Sequence, residues 1–499
     1  MHSAAETQDA AAASASAASA AAAAAAAERQ NRERVEAELA DEDLDRMMAE
    51  RYLNSNRQYH RYHSLIITLY KELYYRHLFL RCPELATWEH RRDSWNNYAL
   101  LVEYLADTSC AKDRETLTLP VQWLWDMLDE FVYQFQESSR WIQRRCKTLA
   151  DTTDRKKLLA ELEAGDLDVW PAARVFELLQ KIVQQSGIKE HLLQQQQQQQ
   201  QQRSDAAAAA KAIEDELGLQ LGYFALILQL KLHVQVGLFY LGVCSVSLIE
   251  LTPKSFYWRV PVAHFSFVFH LGFAYMMLRR YQDAIRIMSQ AVLSLSRQRG
   301  QILGVHTPQN TSSLNRCADR LLILLLLSSK LSGIKLDDSI HQTIKERHSD
   351  KYYKLQQDTE EAYCELFTWG APRFIDPAAP PTYDDAAFDR FVSGKSEIRV
   401  QVCKLFLKDV ESRRRVNTIN SFTKLYHNIP LAKLGRLMGD GSEEGENNIR
   451  NGLMCVKIQN QQKVWRQGPL TSGELILTQN HNEHLIEFKI DGDMLHVKV

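Results

Sequence analysis

Apolar residues recur every three or four positions along much of the chain, a spacing that places them on one face of an α-helix. The first such stripe runs from Tyr59 to Leu80, and similar stripes follow from Trp95 to Leu105 and from Val121 to Trp141. The third stripe is rich in aromatic residues and has no basic residue before Ser139. It is therefore typical of a helix core rather than of a surface that stacks RNA bases. The pattern predicts a mainly α-helical protein.

One pair of predicted helices fits the tetratricopeptide (TPR) pattern, in which small and apolar residues at fixed spacing allow two antiparallel helices to pack closely. The positions of this helix-pair packing are Val268, Leu271, Gly272, Tyr275, Ala284, Met288 and Ala291. No clear second copy follows at an offset of about 34 residues, so the repeats are degenerate. We expect a right-handed helical-repeat (TPR-like) solenoid.

The C-terminal part of the chain has a different pattern. Three short helices are predicted, around Asn417–Tyr426, from Ile429 onward and around Ile449–Lys457. Apolar and polar residues then alternate in 485–490 and 494–499, on either side of an Asp-Gly turn, as in a β-hairpin. Three helices followed by a small C-terminal β-hairpin form the arrangement of a winged-helix domain.

The predicted hairpin is also a candidate partner interface. Its apolar residues should face the winged-helix core, and they are Ile486, Phe488, Ile490, Leu495 and Val497. Because unpaired strand edges are templates for another chain, we expect the last strand to offer a free backbone edge to a partner's winged helix. The alternative is an ordinary wing exposed to water, with its edges protected by charged residues.

Changes in composition suggest the domain boundaries. The expected parts are a disordered alanine-rich tail (1–30), an N-terminal helical domain (31–190), a low-complexity glutamine and alanine linker (191–212), helical repeats (213–415) and a winged helix (416–499). Four prolines between Pro372 and Pro381 mark a further break or long crossover within the repeats.

Composition and charge narrow the range of functions. Glycine and proline together make up about 6% of the chain, against roughly 12% in average proteins, which disfavours sandwiches and barrels. The formal net charge of -2 gives no overall basic field that would attract nucleic acid or a membrane. Two uncharged stretches, Leu232–Ile249 and Val260–Leu278, approach the length of a membrane span. Their histidines, serines and glutamine favour buried repeat helices instead.

The eight cysteines lie too far apart in sequence for CxxC metal knuckles and are expected to be reduced thiols in a cytosolic or nuclear protein. Catalytic motifs are incomplete. The phosphate-loop ending Ser393-Gly394-Lys395-Ser396 has Asp389 where the first glycine of that motif belongs. We expect no catalytic site, no cofactor and no metal. The basic run Arg413-Arg414-Arg415 is interpreted as a solvated helix end rather than as a phosphate contact.

The stretch from Ser255 to Arg286, SFYWRVPVAHFSFVFHLGFAYMMLRRYQDAIR, closely resembles the hallmark of the PCI-type family that contains the L subunits of eukaryotic translation initiation factor 3. Weaker matches follow in the same order. They are Trp369–Phe374, Phe422–Tyr426, Ile429–Leu434, Val464-Trp465 and Asp493–His496. The resemblance extends from about Tyr59 to Val499, without the glutamine tract.

The resemblance implies a non-catalytic, cytoplasmic scaffold subunit: helical repeats leading into a winged helix, together a PCI module. Such a subunit would join other initiation factor 3 subunits, especially PCI subunits such as subunit K, in a scaffold on the small ribosomal subunit. There it would help to recruit mRNA and initiator tRNA. This leaves room for an indirect or weak RNA contact, but for no membrane contact. The alternatives are a PCI scaffold subunit of the proteasome lid or the signalosome, and an enzyme with an unrecognised site.

Overall fold

The computed structural model describes residues 57–83, 85–106, 119–149, 170–200, 217–252, 255–305, 308–376, 385–393, 397–423, 425–439, 443–459, 461–466, 468–477 and 487–498. The alanine-rich tail predicted at 1–30 lies outside these residues. The described part of the chain is mainly helical and also contains small antiparallel sheets, which confirms the fold class at that level.

The helices of the N-terminal half are α1 (Arg57–Arg81), α2 (Trp88–Ala106), α3 (Val121–Leu149), α4 (Ala172–Ser186), α5 (Ile188–Gln200), α6 (Leu217–Gln235) and α7 (Phe239–Ser245). A short 3-10 helix at Phe256–Arg259 precedes the next group. That group comprises α8 (Pro261–Met277), α9 (Tyr281–Val305), α10 (Pro308–Ser332), α11 (Asp338–Arg347), α12 (Ser349–Gln356), α13 (Glu360–Gly370), α14 (Asp385–Val392) and α15 (Ile398–Thr423).

The C-terminal elements alternate between strands and helices. In chain order they are β1 (Asn428–Pro430), α16 (Leu431–Leu437), α17 (Glu443–Gln459), β2 (Gln461–Val464), β3 (Glu474–Leu477), β4 (Glu487–Asp491) and β5 (Met494–Lys498).

The chain divides into two compact units, Met1–Arg76 and His77–Val499, with the boundary inside α1. In the first unit, the buried Glu72 forms an ion pair with Arg76 one helical turn later. This boundary differs from the domain limits that the sequence suggests. Residues 77–190 belong to the second unit because α3 and α4 pack against α6, so their apolar faces are covered by the central helices.

Helix α6 forms the centre of the second unit and is buried on nearly all sides. It packs against α3, α4 and α8, and the ring of Phe224 meets that of Trp125 edge-on at 5.4 Å. Among the described residues, α6 alone is long and apolar enough to cross a membrane, and 89% of that stretch is buried inside the protein. It has the burial of a core helix. Of the two uncharged stretches noted in the sequence, Leu232–Ile249 covers the end of α6 and α7, and Val260–Leu278 covers α8.

The segment predicted as a linker at 191–212 begins inside a helix, because α5 continues to Gln200. Its first turns are fixed by packing, since Ile188 and Leu192 are buried. The Gln196 amide also donates a hydrogen bond to the carbonyl of Leu248, at 3.1 Å. Glutamine is a good helix former, so a tract that follows an anchored turn extends the helix.

The C-terminal elements form a module with its own small core. Strand order in the main sheet is β1-β5-β4, all antiparallel, and β2 pairs with β3 in a second sheet. The end of α15, together with α16 and α17, packs on the main sheet. The buried residues of this core are Ile419, Ile429, Leu431, Leu434, Ile449, Leu453 and Leu495.

The hairpin predicted around the Asp-Gly turn is confirmed, because β4 and β5 pair around Gly492 and Asp493. The second helix was placed too early in the sequence. Residues Asn428–Pro430 form a strand that pairs with β5, and α16 begins only at Leu431, with Pro430 at its N-cap.

Candidate functional site

The predicted helix pair consists of α8 and α9, which pack against each other along the second unit. At Gly272 the helices approach closely: a Cβ atom there would lie 2.6 Å from Cγ of Met288. Ala284 and Met288 are completely buried. The remaining positions of the pattern, Val268, Leu271, Tyr275 and Ala291, are also buried. The structure thus brings together the small and apolar residues that the TPR pattern singles out.

A buried ion pair follows directly on this helix pair. Arg280 lies in the turn between α8 and α9, and its Nε and Nη2 atoms donate to Oδ2 of Asp283 at 2.9 and 2.7 Å. The side chain of Asp283 is fully buried and that of Arg280 is 7% exposed. Arg286 adds a longer bond to Oδ1 of Asp283 at 3.2 Å. Buried charges need such partners, because an unpaired one is costly.

The same charged residues hold the segment that connects β2 to β3. The backbone N–H of Trp465 donates to both carboxylate oxygens of Asp283, at 3.1 and 3.0 Å. Arg286 donates to the carbonyl of Trp465 at 3.2 Å, and its guanidinium lies over the Trp465 ring. Arg280 donates to the carbonyls of Leu470 and Ser472 at 3.0 and 3.1 Å.

Neutral hydrogen bonds at Leu470 add to the contact between the helix pair and the β2–β3 segment. We call this contact the joint. The buried Leu470 receives a second hydrogen bond at its carbonyl, from the Tyr275 hydroxyl at 3.1 Å, and its N–H donates to Ser247. Burial raises the pKa of Tyr275 well above its usual range, so the hydroxyl stays protonated and donates. Side chains of α8, α9 and the turn between them therefore form hydrogen bonds with backbone groups of the segment.

The sequence reasoning assigned no role to Arg280, Asp283 or Arg286. A signal was available, because a charged pair three residues apart directly follows an almost uncharged helix. If the helix is buried, these charged side chains are buried with it, and they then need polar partners elsewhere in the fold. Which backbone it would hold could not be read from the sequence, since Trp465 lies 182 residues from Asp283.

Of the residues predicted for the partner interface, Ile486 lies outside the described residues. Leu495 is buried in the core of the C-terminal module, and Phe488, Ile490 and Val497 pack against that core. Phe488 is opposite Val497 and Ile490 is opposite Leu495 in the β4–β5 pair. These side chains form one apolar row on the inner face of the sheet.

The expectation of a free edge on the last strand is wrong. β5 lies in the middle of its sheet, and the N–H of Val497 donates to the carbonyl of His427 at 2.7 Å. The short strand β1 covers that edge, because Asn428–Pro430 returns beside β5 before α16 begins. Among the described strands of this sheet, the outer edges of β4 and of the three-residue β1 have no neighbouring strand.

The basic run near the end of α15 is not a fully solvated helix end. Arg413 donates to the carbonyl of Ser332 at 3.3 Å, and burial lowers the pKa of its guanidinium. Arg414 pairs with Asp358 and lies over the ring of Tyr363. Both side chains connect α15 to the preceding helices, so the sequence interpretation of these two residues was wrong.

Two histidines of α8, His264 and His270, are buried in the second unit. Burial lowers the pKa of His264 to about 4 and, with nearby Lys231, that of His270 to about 3. The Nδ1 atom of His270 lies 2.6 Å from the carbonyl of Ser266. Within the described residues, no three histidine, cysteine or acidic side chains come together as a metal site.

Comparison of the sequence with known proteins identifies its family. A sequence profile of the family described as RNA polymerase I-associated factor PAF67 matches residues 90–499. Eukaryotic translation initiation factor 3 subunit L of Xenopus tropicalis is 32% identical over 440 residues, covering 87% of this chain and 72% of that protein.

The proteins of the same name from Homo sapiens and Danio rerio are each 31% identical, over 440 and 446 residues. They are matched over 72% and 70% of their own lengths, and each covers 87% of this chain. The resemblance carried by Ser255 to Arg286 is thereby confirmed. Similarity of this extent shows that the chain belongs to the family of eukaryotic translation initiation factor 3 subunit L.

Proposed function

We propose that this chain is a non-catalytic scaffold subunit of translation initiation factor 3 that acts in the cytoplasm. Its relatives are named as a subunit of that factor, which supports a role in translation initiation. In this proposal the helices from α6 to α15 are TPR-like repeats, and the C-terminal module is the winged helix of a PCI module. The packing of three helices on a three-stranded antiparallel sheet supports the second assignment.

The observation that carries the scaffold role is the sheet order β1-β5-β4, which leaves the outer edge of β4 without a described neighbour. The two-residue turn at Gly492 and Asp493 makes Asp491 and Met494 the closing hydrogen-bonded pair. Hydrogen-bonded pairs alternate with non-hydrogen-bonded ones, so Phe488 and Ile490 point their backbone N–H and C=O groups away from β5. No described strand pairs with these groups, so they can pair with a strand of another subunit.

The partner we propose for this edge is the sheet of another PCI-type subunit, such as subunit K. The inner faces of the two sheets would then continue as one row, while Lys489 and His496 remain on the exposed outer face. Contacts with the small ribosomal subunit would follow from membership of the complex, and any RNA contact would be indirect or weak. The chain would help the complex to recruit mRNA and initiator tRNA.

The buried joint at Asp283 supports this role for the module. A scaffold must hold its docking edge in a fixed orientation relative to the repeats. Six hydrogen bonds from or to the side chains of Tyr275, Arg280, Asp283 and Arg286 fix the β2–β3 segment against the helix pair. We therefore interpret the joint as the structural support of the docking surface.

Affinity purification of the tagged chain from cell extract tests the function. We expect the other initiation factor 3 subunits to co-purify, and part of the tagged chain to sediment with small ribosomal subunits. Recovery with proteasome-lid or signalosome subunits alone would refute the assignment to initiation factor 3. A purified chain with catalytic turnover would refute the non-catalytic role.

A further inference from the structure

Two thiols from neighbouring helices touch inside the second unit. The Sγ atom of Cys364 on α13 lies 3.3 Å from the Sγ atom of Cys403 on α15, and both cysteines are free thiols. One turn further along each helix, the rings of Phe367 and Phe406 stack with their centroids 4.5 Å apart. Because this stacked pair holds the two helices together, the sulfur atoms stay adjacent.

The two cysteines differ in their access to solvent. Cys364 is half-buried and lines a cleft of about 800 Å³ between α10 and α13, whereas Cys403 is only 8% exposed. The cleft carries Arg316 and Arg320 as well as three carboxylates, those of Asp319, Glu361 and Glu365. A small uncharged reagent can enter such a mixed cleft without repulsion, and it would meet Cys364 first.

We also expect Cys364 to react with peroxide before Cys403 does. Thiolates react with peroxides faster than thiols do, and burial suppresses thiolate formation. Burial and the contact with Cys364 raise the pKa of the Cys403 thiol, so Cys403 is a poor first nucleophile. Its sulfur is nevertheless already placed against that of Cys364. It is therefore within reach of an oxidised Cys364, at a starting sulfur–sulfur distance of 3.3 Å.

We propose that Cys364 and Cys403 form a peroxide-sensitive thiol pair that converts reversibly to a disulfide. Cys364 attacks hydrogen peroxide, an S–O bond forms as the O–O bond breaks, and one water leaves. The Cys403 sulfur then attacks the sulfenic acid on Cys364; an S–S bond forms, the S–O bond breaks, and the Cys403 proton leaves in a second water. The two thiols lose two electrons, which reduce the peroxide. In a reducing compartment such a disulfide is transient, as expected of a sensor.

The disulfide would tie together two parts of the proposed scaffold. Helix α13 belongs to the repeats, and α15 continues to Ile419 in the core of the C-terminal module. The bond would close a loop that contains the crossover between Gly370 and Asp385. Closing this loop should restrict the motion of α15 relative to the repeats.

Treatment of the purified full-length chain with hydrogen peroxide tests this proposal. We expect two thiols to disappear together, and mass mapping without reduction to find one intramolecular link between the peptides that contain Cys364 and Cys403. Dithiothreitol should restore both thiols. The thermal midpoint of the oxidised chain should be higher than that of the reduced chain.

Three single variants distinguish the role of Cys364 from that of Cys403. Cys364→Ser should leave Cys403 reduced, whereas Cys403→Ser should trap Cys364 as a sulfenic acid that a dimedone probe labels. Cys455→Ser removes an exposed cysteine and should leave the disulfide unchanged. Each variant is first compared with the native chain by circular dichroism. The proposal is overturned if the link forms mainly through Cys455 or between chains, or if both thiols stay reduced while Cys455 is oxidised. It is also overturned if Cys364→Ser loses as many thiols as the native chain.

Discussion

Asp283 accepts the backbone N–H of Trp465 with both oxygens of its carboxylate, at 3.1 and 3.0 Å, although the two residues lie 182 positions apart. Both residues fall in stretches through which the chain resembles its family. The contact joins the two stretches directly, because one supplies the buried carboxylate and the other supplies the backbone N–H that it binds. The pairing fixes the start of the β2–β3 segment against α9.

Asp283→Asn should strongly destabilise the protein. It leaves the buried Arg280 without its countercharge, and removing one partner of a buried pair costs about 3 to 5 kcal/mol. Urea denaturation measures the loss, and hydrogen exchange should become faster in residues 465–472. Asp338→Asn removes an exposed carboxylate in the first turn of α11 and should cost less than about 1 kcal/mol. Equal losses in the two variants would argue against the joint.

The contact between Gly272 and Met288 predicts a non-additive pair of substitutions. Gly272→Ala introduces a Cβ atom 2.6 Å from Met288 Cγ and should cost about 1 to 3 kcal/mol through overpacking. Met288→Ala alone creates a cavity at a fully buried position and should cost about 2 to 5 kcal/mol. In the double variant the clash disappears, so the total loss should be smaller than the sum by at least about 0.5 kcal/mol. Strict additivity in the free energies of unfolding would show that the two residues do not touch.

The buried histidines make stability depend on pH. The folded-state pKa values of His264 and His270, about 4 and about 3, lie below the value of about 6.5 for an unfolded chain. Between these values the unfolded chain binds protons that the folded chain does not, so stability is retained above pH 6.5 and falls as the pH decreases. The slope should approach roughly 1 kcal/mol per pH unit for each histidine.

The pH dependence of unfolding in urea, compared between the native chain and His264→Phe, isolates one histidine. The variant should have a shallower slope between pH 6.5 and 4.5. His427→Asn, which changes an exposed histidine, should keep the native slope. An unchanged slope in His264→Phe would mean that His264 is protonated in the folded protein.

The sequence predicted the elements that depend on local pattern. The helix pair follows from apolar and small residues at helical spacing, and the C-terminal hairpin follows from alternation around an Asp-Gly turn. The structure has α8, α9, β4 and β5 at those places. In each case the residues that form the element also bury its apolar face, so the local pattern carries the information.

Features that depend on distant partners were missed. Strand β1 has only three residues and exists because β5 pairs with it, 68 positions later in the case of Asn428 and His496. Arg413 donates to the carbonyl of Ser332, 81 positions earlier, and no local pattern encodes that partner. Aromatic residues on α3 were assigned to the core as a group, yet Trp123 is 62% exposed while Trp125 is buried. Periodicity finds the apolar face but not the neighbours that cover it.

The outer edge of β4 is tested most directly by comparing Ile490→Pro with Ile490→Ala in partner recovery from cell extract. Both variants shorten the same side chain, but only proline removes the outward N–H, and proline is tolerated on an edge strand whose N–H faces away from the sheet. With the C-terminal module folded in both, judged by hydrogen exchange of β5, we expect Ile490→Ala to retain its PCI-type partner and Ile490→Pro to lose it. Equal recovery of that partner by the two variants would contradict docking through the β4 edge.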